Sequence, residues 1–211
     1  VLKQNLDFTS WLAHQCELKG VHMQYASSAS VYGLRREFSE DSPGDPRTPY
    51  AWSKYLFDRS IDYNRLVFIQ GFRYFNVYGN HEYHKQDQAS PITKFSYQAE
   101  NDGVITLFHG SDTHLRDFVA VEDVCRIHVE FINNVQSSGI WNIGTGKPVS
   151  FQHVADLLSE RYNVPIKYVD IPEKLLSSYQ AYTCADLTRL EATIGPQQWI
   201  TVEEWLDKYM L

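Results

Sequence analysis

Cysteine, basic charge and long apolar runs are all scarce in this chain of 211 residues. Its three cysteines are far apart and form no Cys-x-x-Cys pair, which argues against a disulfide framework or a zinc knuckle and favours a reducing, cytoplasmic setting. Lysine and arginine number 19 against 26 acidic residues, and the net charge of −7 argues against a nucleic-acid partner. No stretch approaches the roughly 20 apolar residues of a membrane span, so we expect no membrane partner.

A glycine-rich phosphate loop is also missing. The eleven glycines form neither Gly-x-Gly-x-x-Gly nor Gly-x-x-Gly-x-x-Gly, the spacings with which dinucleotide-binding folds receive a pyrophosphate. The segment 144–146 is Gly-Thr-Gly, but it leads into Lys-Pro-Val and therefore predicts a turn. His81 and His84 are three residues apart with no third ligand group beside them in the sequence, so we expect no metal site.

What the chain does contain is an alternation of helical and strand patterns. Apolar strands predicted at 21–26 and 66–72 flank a helix predicted at 50–63, and uninterrupted strands of this kind are typical of a parallel sheet covered on both faces. The fold class is therefore α/β. Further helices are predicted at 6–18, 92–100, 123–133, 150–162, 186–193 and 202–210, with strands at 105–109, 116–121, 140–143 and 166–169 and a polar loop at 81–88.

Three residues around the first two strands indicate chemistry. Tyr50 and Lys54 are four apart on the predicted helix and project from one face, where the ammonium favours the phenolate that a base requires. Ser28 follows the first strand, at the edge of a parallel sheet where ligands gather. Each feature alone has an ordinary structural reading, as an amphipathic pair or a turn serine. Strand, serine, Tyr-x-x-x-Lys and a second strand in this order form a much rarer combination.

Three sequence blocks carry a family resemblance. They are Tyr25–Gly33, Tyr50–Asp58 and Gly71–Gly79, and they resemble the extended short-chain dehydrogenase/reductase superfamily, whose members epimerise and dehydrate nucleotide sugars. The later blocks are similar to the ADP-heptose epimerases within it, over essentially the whole chain. These later blocks are His84–Lys85, Leu107–Ser111, Arg116–Val119, Trp141–Gly146, Ser150–Gln152 and Tyr179–Leu187.

Related activities can be weighed on the same residues. The 4,6-dehydratases carry an Asp-Glu pair where this chain has Ala29 and Ser30, which disfavours dehydration. The 4-epimerases share the serine, tyrosine and lysine and remain an alternative. The chain also departs from the ADP-heptose epimerases, which usually continue their loop lysine with Gly-Ser, where this chain has Gln86 and Asp87, and usually have histidine in place of Lys94.

The resemblance implies a reaction and a role for each matching residue. ADP-D-glycero-D-manno-heptose and its L-glycero epimer would interconvert by transient oxidation at carbon 6 and hydride return. Tyr50 and Lys85 would be the two acid/base residues on opposite sides of the transient ketone, and Ser28 would polarise the reacting oxygen. Lys54 would hold the nicotinamide ribose, and Tyr50, Val77 and Lys85 would also contact the cofactor. The implied substrate-binding residues are Asn76, Asp87, Lys94, Phe108, His109, Gly110, Ser111, Arg116 and Tyr179.

The resemblance also implies what lies outside the sequence. An incomplete Rossmann-like parallel sheet is expected at 1–79, as the C-terminal part of a dinucleotide-binding domain, and a smaller, mainly substrate-binding α/β region at 80–211. A first segment on the order of 90 residues, which carries the glycine fingerprint, is expected to be absent. We therefore expect the chain to be inactive by itself, with a non-catalytic relic as the alternative. The family further implies NADP as cofactor, with NAD an alternative, a cytoplasmic homo-oligomer and a place in lipopolysaccharide core assembly.

Overall fold

A computed structural model describes residues 1–61, 67–173 and 180–210. The chain forms two compact units between which the backbone passes several times. The first unit comprises Val1–Phe75, Ile127–Ile143 and Ala185–Gln197, and the second unit comprises Asn76–Arg126, Gly144–Cys184 and Gln198–Leu211. The assignment of a cofactor domain to 1–79 and a substrate region to 80–211 stays a prediction.

The elements confirm the predicted α/β class. The helices are α1 (Leu2–Lys19), α2 (Pro49–Ser60), α3 (Pro91–Asn101), α4 (Val121–Asn134), α5 (Phe151–Tyr162), α6 (Thr188–Ile194) and α7 (Val202–Tyr209). The strands are β1 (Met23–Ser28), β2 (Ile69–Tyr74), β3 (Asn76–Tyr78), β4 (Ile105–Phe108), β5 (Leu115–Arg116), β6 (Phe118–Ala120), β7 (Gly139–Ile143), β8 (Val149–Ser150) and β9 (Ile166–Val169). Short 3-10 helices span Ala29–Tyr32 and Tyr83–Gln88. Within the described ranges, no helix combines the length and apolar character needed to cross a membrane.

The first unit is built on a parallel sheet with strand order β1-β2-β7. Every residue of β7 is buried, as are all but the last of β2, which is the burial expected for strands covered on both faces. Beside them, α1 packs on α2, and the apolar core between helices and sheet includes Met23, Phe57 and Ile69. The predicted parallel arrangement of the first two strands is therefore confirmed.

The predicted bounds of these two strands were partly wrong. The first strand begins at Met23 rather than at residue 21, because Val21 follows the left-handed turn at Gly20 and is exposed. The second begins at Ile69, and the predicted residues 62–66 of the neighbouring helix and strand lie outside the described residues. The predicted helix stop at Gly20 is confirmed, with φ of 65°.

The second unit has a separate core. Parallel pairs β3-β6 and β4-β9 and the antiparallel pair β5-β8 pack with α3, α5 and α7 around buried side chains that include Tyr78, Leu158 and Trp205. The single strand predicted at 116–121 is wrong, because Asp117 interrupts it. The Asp117 carboxylate turns away from the ladder to accept hydrogen bonds from the backbone N–H groups of Thr145 and Gly146, at 2.7 and 2.9 Å.

Candidate active site

A buried carboxylate ties together the three sequence blocks of the first unit. Asp58 of α2 is 2% exposed and accepts hydrogen bonds from the Tyr25 hydroxyl (2.8 Å), the Ser27 hydroxyl (2.9 Å) and Nε of Arg73 (2.8 Å). Tyr25 and Ser27 belong to β1, and Arg73 belongs to β2. The Asp58 side chain therefore holds α2 against both β1 and β2. The sequence signal was an aspartate beside the apolar Phe57 of the helix, and the sequence analysis assigned it no role.

A second buried group extends this cluster. The Tyr32 hydroxyl accepts a hydrogen bond from Arg73 (3.0 Å) and donates to the side-chain oxygen of Asn142 (2.7 Å). Burial raises the pKa of Tyr32 to about 12, although the Arg73 guanidinium opposes that rise. Tyr32 is therefore a neutral hydrogen-bonding residue of the core, not a proton acceptor at neutral pH.

Tyr50 and Lys54 lie on one face at the start of α2. The Thr48 side chain caps the helix by accepting the N–H of Ala51 (3.1 Å), and Pro49 occupies its first turn. Lys54 Nζ is 5.7 Å from the centroid of the Tyr50 ring, and Tyr50 is 43% exposed. The phenol is therefore open to a ligand and is not packed inside the apolar core.

Lys54 is held against the first strand. Its Nζ donates to the carbonyl oxygen of Ala26 (2.9 Å), near the carboxyl end of β1. Burial lowers the pKa of Lys54, and the nearby Asp58 carboxylate partly opposes that effect. The ammonium can donate three hydrogen bonds, and the bond to Ala26 uses one of them.

Ser28 is the last residue of β1 and caps the 3-10 helix that follows. Its Oγ accepts the N–H of Ser30 at 3.2 Å. This is the turn-serine role, but it uses a lone pair of the oxygen and leaves the hydroxyl hydrogen able to donate elsewhere. Capping and polarisation of a substrate oxygen are therefore compatible at this residue.

The second unit contains Lys85 in a segment predicted to be a loop. That prediction was wrong in part, because residues 83–88 form two short 3-10 turns that meet at Gln86, whose own backbone is not helical. Lys85 Nζ lies 2.8 Å from Oε1 of Glu82, three residues earlier, and the second carboxylate oxygen accepts from the Thr93 hydroxyl (2.9 Å). Sequence reasoning missed Glu82, although its i,i+3 spacing to Lys85 was a signal. Gln86 has φ of 49° and ψ of −123°, a backbone conformation that favours glycine.

Asp87 and Lys94 border a cavity of about 540 Å³ beside α3. Lys94 Nζ donates to the backbone carbonyl of Asp87, and Tyr83, Gln86 and Tyr97 are among the other lining residues. The three positions at which the chain departs from the family pattern, Gln86, Asp87 and Lys94, therefore share one concave surface within the second unit.

The other candidate residues of the second unit lie within β3 or at the end of β4 and in the turn that follows it. Asn76 accepts the Thr183 hydroxyl at 3.4 Å, and Val77 pairs with Val119 across β3 and β6. Phe108, His109, Gly110 and Ser111 form the turn after β4, in which the Ser111 hydroxyl donates to the Phe108 carbonyl (2.6 Å) and Gly110 has φ of 82°. Tyr179 lies outside the described residues.

Arg116 is a largely buried cation in the second unit. Its guanidinium lies 5.2 Å from the centroid of the Phe151 ring, and one nitrogen donates to the Leu115 carbonyl (3.0 Å). The neighbouring Asp117 is bonded to Thr145 and Gly146, so the N–H groups of that glycine turn are used within the protein. The turn predicted at 144–146 is thus confirmed as a turn that serves Asp117.

Comparisons with known proteins identify the family. The NAD dependent epimerase/dehydratase family matches residues 1–144. The chain belongs to this family. A curated member, ADP-L-glycero-D-manno-heptose-6-epimerase of Brachyspira hyodysenteriae (strain ATCC 49526 / WA1), is 38% identical over 219 aligned positions, which cover 99% of this chain and 68% of that protein. The resemblance inferred from the sequence blocks is therefore confirmed.

Solved structures of the family give the same fold. The crystal structure of Helicobacter pylori ADP-L-glycero-D-manno-heptose-6-epimerase matches with a TM-score of 0.90 and 27% identity, over 100% of this chain and 65% of that one. UDP-glucose 4-epimerase of Thermus thermophilus, solved in complex with NAD, matches with a TM-score of 0.74 and 24% identity, over 92% and 64% of the two chains. The chain thus spans about two thirds of the length of these family members.

The first unit offers donors for one half of a nicotinamide dinucleotide. An ammonium with hydrogen bonds to spare beside an exposed phenol, as Lys54 and Tyr50 provide, suits ribose hydroxyls and a reacting alcohol. The pyrophosphate half requires a glycine-rich turn at a helix start, and the 211 residues contain no such spacing. The residues present therefore fit the nicotinamide ribose and not the pyrophosphate.

Proposed function

We propose that this chain is the major part of an ADP-heptose 6-epimerase, which interconverts ADP-D-glycero-D-manno-heptose and ADP-L-glycero-D-manno-heptose. The observation that carries the proposal is the constellation at the start of α2. An exposed Tyr50, Lys54 beside its ring and Ser28 at the end of β1 occur in a chain that is 38% identical to such an enzyme over 99% of its length.

Chemistry at a secondary alcohol explains why these groups are needed. The carbon to be inverted has no adjacent carbonyl to acidify its C–H bond, so proton abstraction from carbon is not available. The nicotinamide cofactor of the family would supply hydride removal and return at that carbon. Tyr50 would take the proton of the alcohol, Ser28 would donate a hydrogen bond to the same oxygen, and Lys54 would stabilise the phenolate and hold the ribose.

We propose Lys85 as the second proton handler. In an inversion, hydride leaves one face of the carbon and returns to the opposite face of the carbonyl intermediate. One acid/base group is therefore needed at the oxygen in each of these two orientations. Lys85 is 46% exposed on its side chain, and its nitrogen is anchored by Glu82. It is thus accessible and held in one place, as an acid/base residue must be.

Binding of the nucleotide sugar is assigned to polar residues of the second unit. Arg116 would contact the diphosphate, since a guanidinium matches phosphate oxygens two at a time. The turn after β4 would lie near the nucleotide, and Asp87 and Lys94 would contribute to recognition of the sugar. The remaining proposed contacts are Asn76 and Tyr179 to substrate and the backbone of Val77 to the cofactor.

We propose NADP as the cofactor and a cytoplasmic homo-oligomer as the working state, both on the family resemblance. We further propose that the 211 residues alone do not turn over substrate, because they contain no glycine fingerprint for the pyrophosphate. The extended protein, meaning this chain preceded by a segment with a Gly-x-x-Gly-x-x-Gly fingerprint, is therefore the form in which activity is to be measured.

Two substitutions in the extended protein test the proposal. Tyr50→Phe and Lys85→Met should each lower kcat for interconversion of the two ADP-heptose epimers by about 10²- to 10⁴-fold, the usual contribution of an acid/base residue. Tyr209→Phe, at a tyrosine of α7 that packs beside Trp205 and has no proposed role, is the matched control and should retain activity. A fully active Lys85→Met with turnover of UDP-glucose would indicate a 4-epimerase. An extended protein that binds neither NADP nor NAD by calorimetry would support the non-catalytic relic.

A further inference from the structure

Glu82 is a buried carboxylate to which the proposed mechanism gives no role. It lies just before the 3-10 helix Tyr83–Gln88 of the second unit and is 5% exposed. Burial of a carboxylate costs several kcal/mol unless it is paired and hydrogen-bonded. Such a residue next to a proposed acid/base lysine therefore calls for a physical explanation.

Both oxygens of the Glu82 carboxylate have a donor. Oε1 receives the Lys85 ammonium at 2.8 Å, and Oε2 receives the Thr93 hydroxyl at 2.9 Å. Burial by itself raises the pKa of Glu82, but hydrogen bonds from Lys85, Ser90 and Thr93 outweigh that effect and lower the pKa below its ordinary value. Glu82 is therefore ionised at neutral pH, with one side of its carboxylate fixed by α3 and the other facing Lys85.

The local backbone aligns the two side chains. A 3-10 helix has three residues per turn, so side chains at positions i and i+3 eclipse each other. The backbone N–H of Lys85 also donates to the backbone carbonyl of Glu82 at 2.8 Å, so the two residues are joined by a main-chain and a side-chain hydrogen bond. The Lys85 side chain stays 46% exposed. Its nitrogen is thus held from one side and accessible from the other.

The residue after Lys85 is strained. Gln86 has φ of 49° and ψ of −123°, and a non-glycine residue in such a region costs about 1–3 kcal/mol. Its carbonyl accepts the N–H of Ala89 at 3.0 Å, which closes the segment. Strain of this kind persists only where surrounding contacts fix the backbone. The segment that carries Lys85 is therefore held in one conformation on both sides of the lysine.

We propose that Glu82 is a positioning residue whose carboxylate holds the Lys85 ammonium in place, so that Lys85 is the proton donor of the pair. This inference rests on the proposed function of Lys85. In the oxidising half, the Tyr50 phenolate takes the alcohol proton. In the reducing half, the Lys85 ammonium gives a proton to the oxygen of the carbonyl that is being reduced, and in the reverse direction the two roles exchange. Between turnovers in one direction, Tyr50 loses its proton to solvent and Lys85 regains one from it, since both side chains are accessible.

The experiment is the pH profile of kcat/KM for ADP-heptose interconversion by the extended protein. Glu82→Gln keeps the size and one acceptor oxygen of Glu82 but removes its charge. We expect the alkaline limb of the profile to move to lower pH by about 1 unit, since a neighbouring charge favours an ammonium by that order. Thr93→Val removes one hydrogen-bond donor to Glu82 but keeps the charge, so it should leave the limb in place. Glu160→Gln, an exposed glutamate of α5, is the matched control and should leave the limb in place.

Other titrating groups of the region are controlled in the same series. They are His81, Tyr83, His84 and Asp87 of the same segment and Lys94 of α3. Lys85→Met removes the proposed donor while leaving all of them in place. In the Lys85→Met background, Glu82→Gln should therefore have no further effect on the residual kcat/KM at any pH.

Each outcome separates the positioning role from the proposed function. A structural ion pair alone would lower Tm and reduce activity equally at every pH, and an unmoved limb in Glu82→Gln would overturn the positioning role. A further loss of kcat/KM when Glu82→Gln is added to the Lys85→Met variant would also overturn the positioning role. If Lys85→Met is inactive and the pH profile of Glu82→Gln is unmoved, only the positioning role is rejected. If Lys85→Met is fully active, the proposed function is rejected. If Glu82→Gln fails to fold by circular dichroism, Glu82→Asp decides the question: it keeps the charge but shortens the side chain away from Lys85, so the limb should move in the same direction by less.

Discussion

Removal of the charge of Asp58 should destabilise the first unit far more than an ordinary charge change. Asp58 pairs with Arg73 at 2.8 Å while both side chains are nearly inaccessible, 0% and 3% exposed. Loss of one partner of a buried pair typically costs about 3–5 kcal/mol, because the other charge is left buried without compensation. Asp58→Asn also disturbs the bonds from Tyr25 and Ser27. We therefore expect the free energy of unfolding to fall by about 4 kcal/mol, or Tm by about 8–16 °C.

Urea unfolding followed by tryptophan fluorescence and circular dichroism measures this change. The two signals should be analysed separately, since two units need not unfold in one transition. Asp207→Asn is a matched control: Asp207 pairs with Arg161 at 2.7 Å, but its side chain is 80% exposed. Exposed ion pairs contribute about 0–1 kcal/mol, so this control should lie close to the wild type.

Two results would refute the reasoning about Asp58. The first is an Asp58→Asn variant within about 1 kcal/mol of the wild type, the range of an exposed pair. The second is a double variant, Asp58→Leu with Arg73→Met, that is no more stable than Asp58→Asn. Replacement of a buried ion pair by apolar residues of similar size is often nearly neutral, so the double variant should recover part of the lost stability.

Two further predictions concern the same unit. Thr48→Ala removes the side-chain acceptor for the N–H of Ala51 and should cost about 1 kcal/mol in urea unfolding, while Thr48→Ser should not. His128 lies between the Tyr74 hydroxyl (2.5 Å) and the Gln24 amide oxygen (2.6 Å), and burial lowers its pKa. The unfolded chain therefore binds a proton more readily than the folded one, so stability should fall as pH drops below about 6.5. His128→Gln should make the free energy of unfolding depend less on pH in this range. An unchanged dependence would contradict the assignment of this effect to His128.

Local sequence patterns predicted most elements because their determinants lie close together in the chain. Ser150 caps α5 through the N–H of His153 (3.0 Å), and β9 spans the predicted residues 166–169. The helix predicted around Tyr50 begins where Thr48 and Pro49 place it. A cap, a proline and an apolar period act over a few residues, so no knowledge of the rest of the fold is needed.

Elements that depend on distant partners were predicted less well. The strand at 116–121 is interrupted because Asp117 bonds to a turn nearly thirty residues later. Residues 83–88 of the predicted loop form 3-10 turns beside Glu82, whose carboxylate accepts hydrogen bonds from both Lys85 and Thr93. Neither partner choice is visible in the hydrophobic pattern, which reports only which residues seek burial.

The sequence alone determined the α/β class, the family and the pairing of Tyr50 with Lys54, because helical spacing and three contiguous blocks are local properties. Tertiary structure decided that residues 139–143 supply the third parallel strand beside β2 and that Asp58 joins the three blocks. It also decided that Lys85 is anchored to a buried carboxylate. Strand order and buried polar contacts depend on residues that meet only after folding, so no spacing along the chain encodes them.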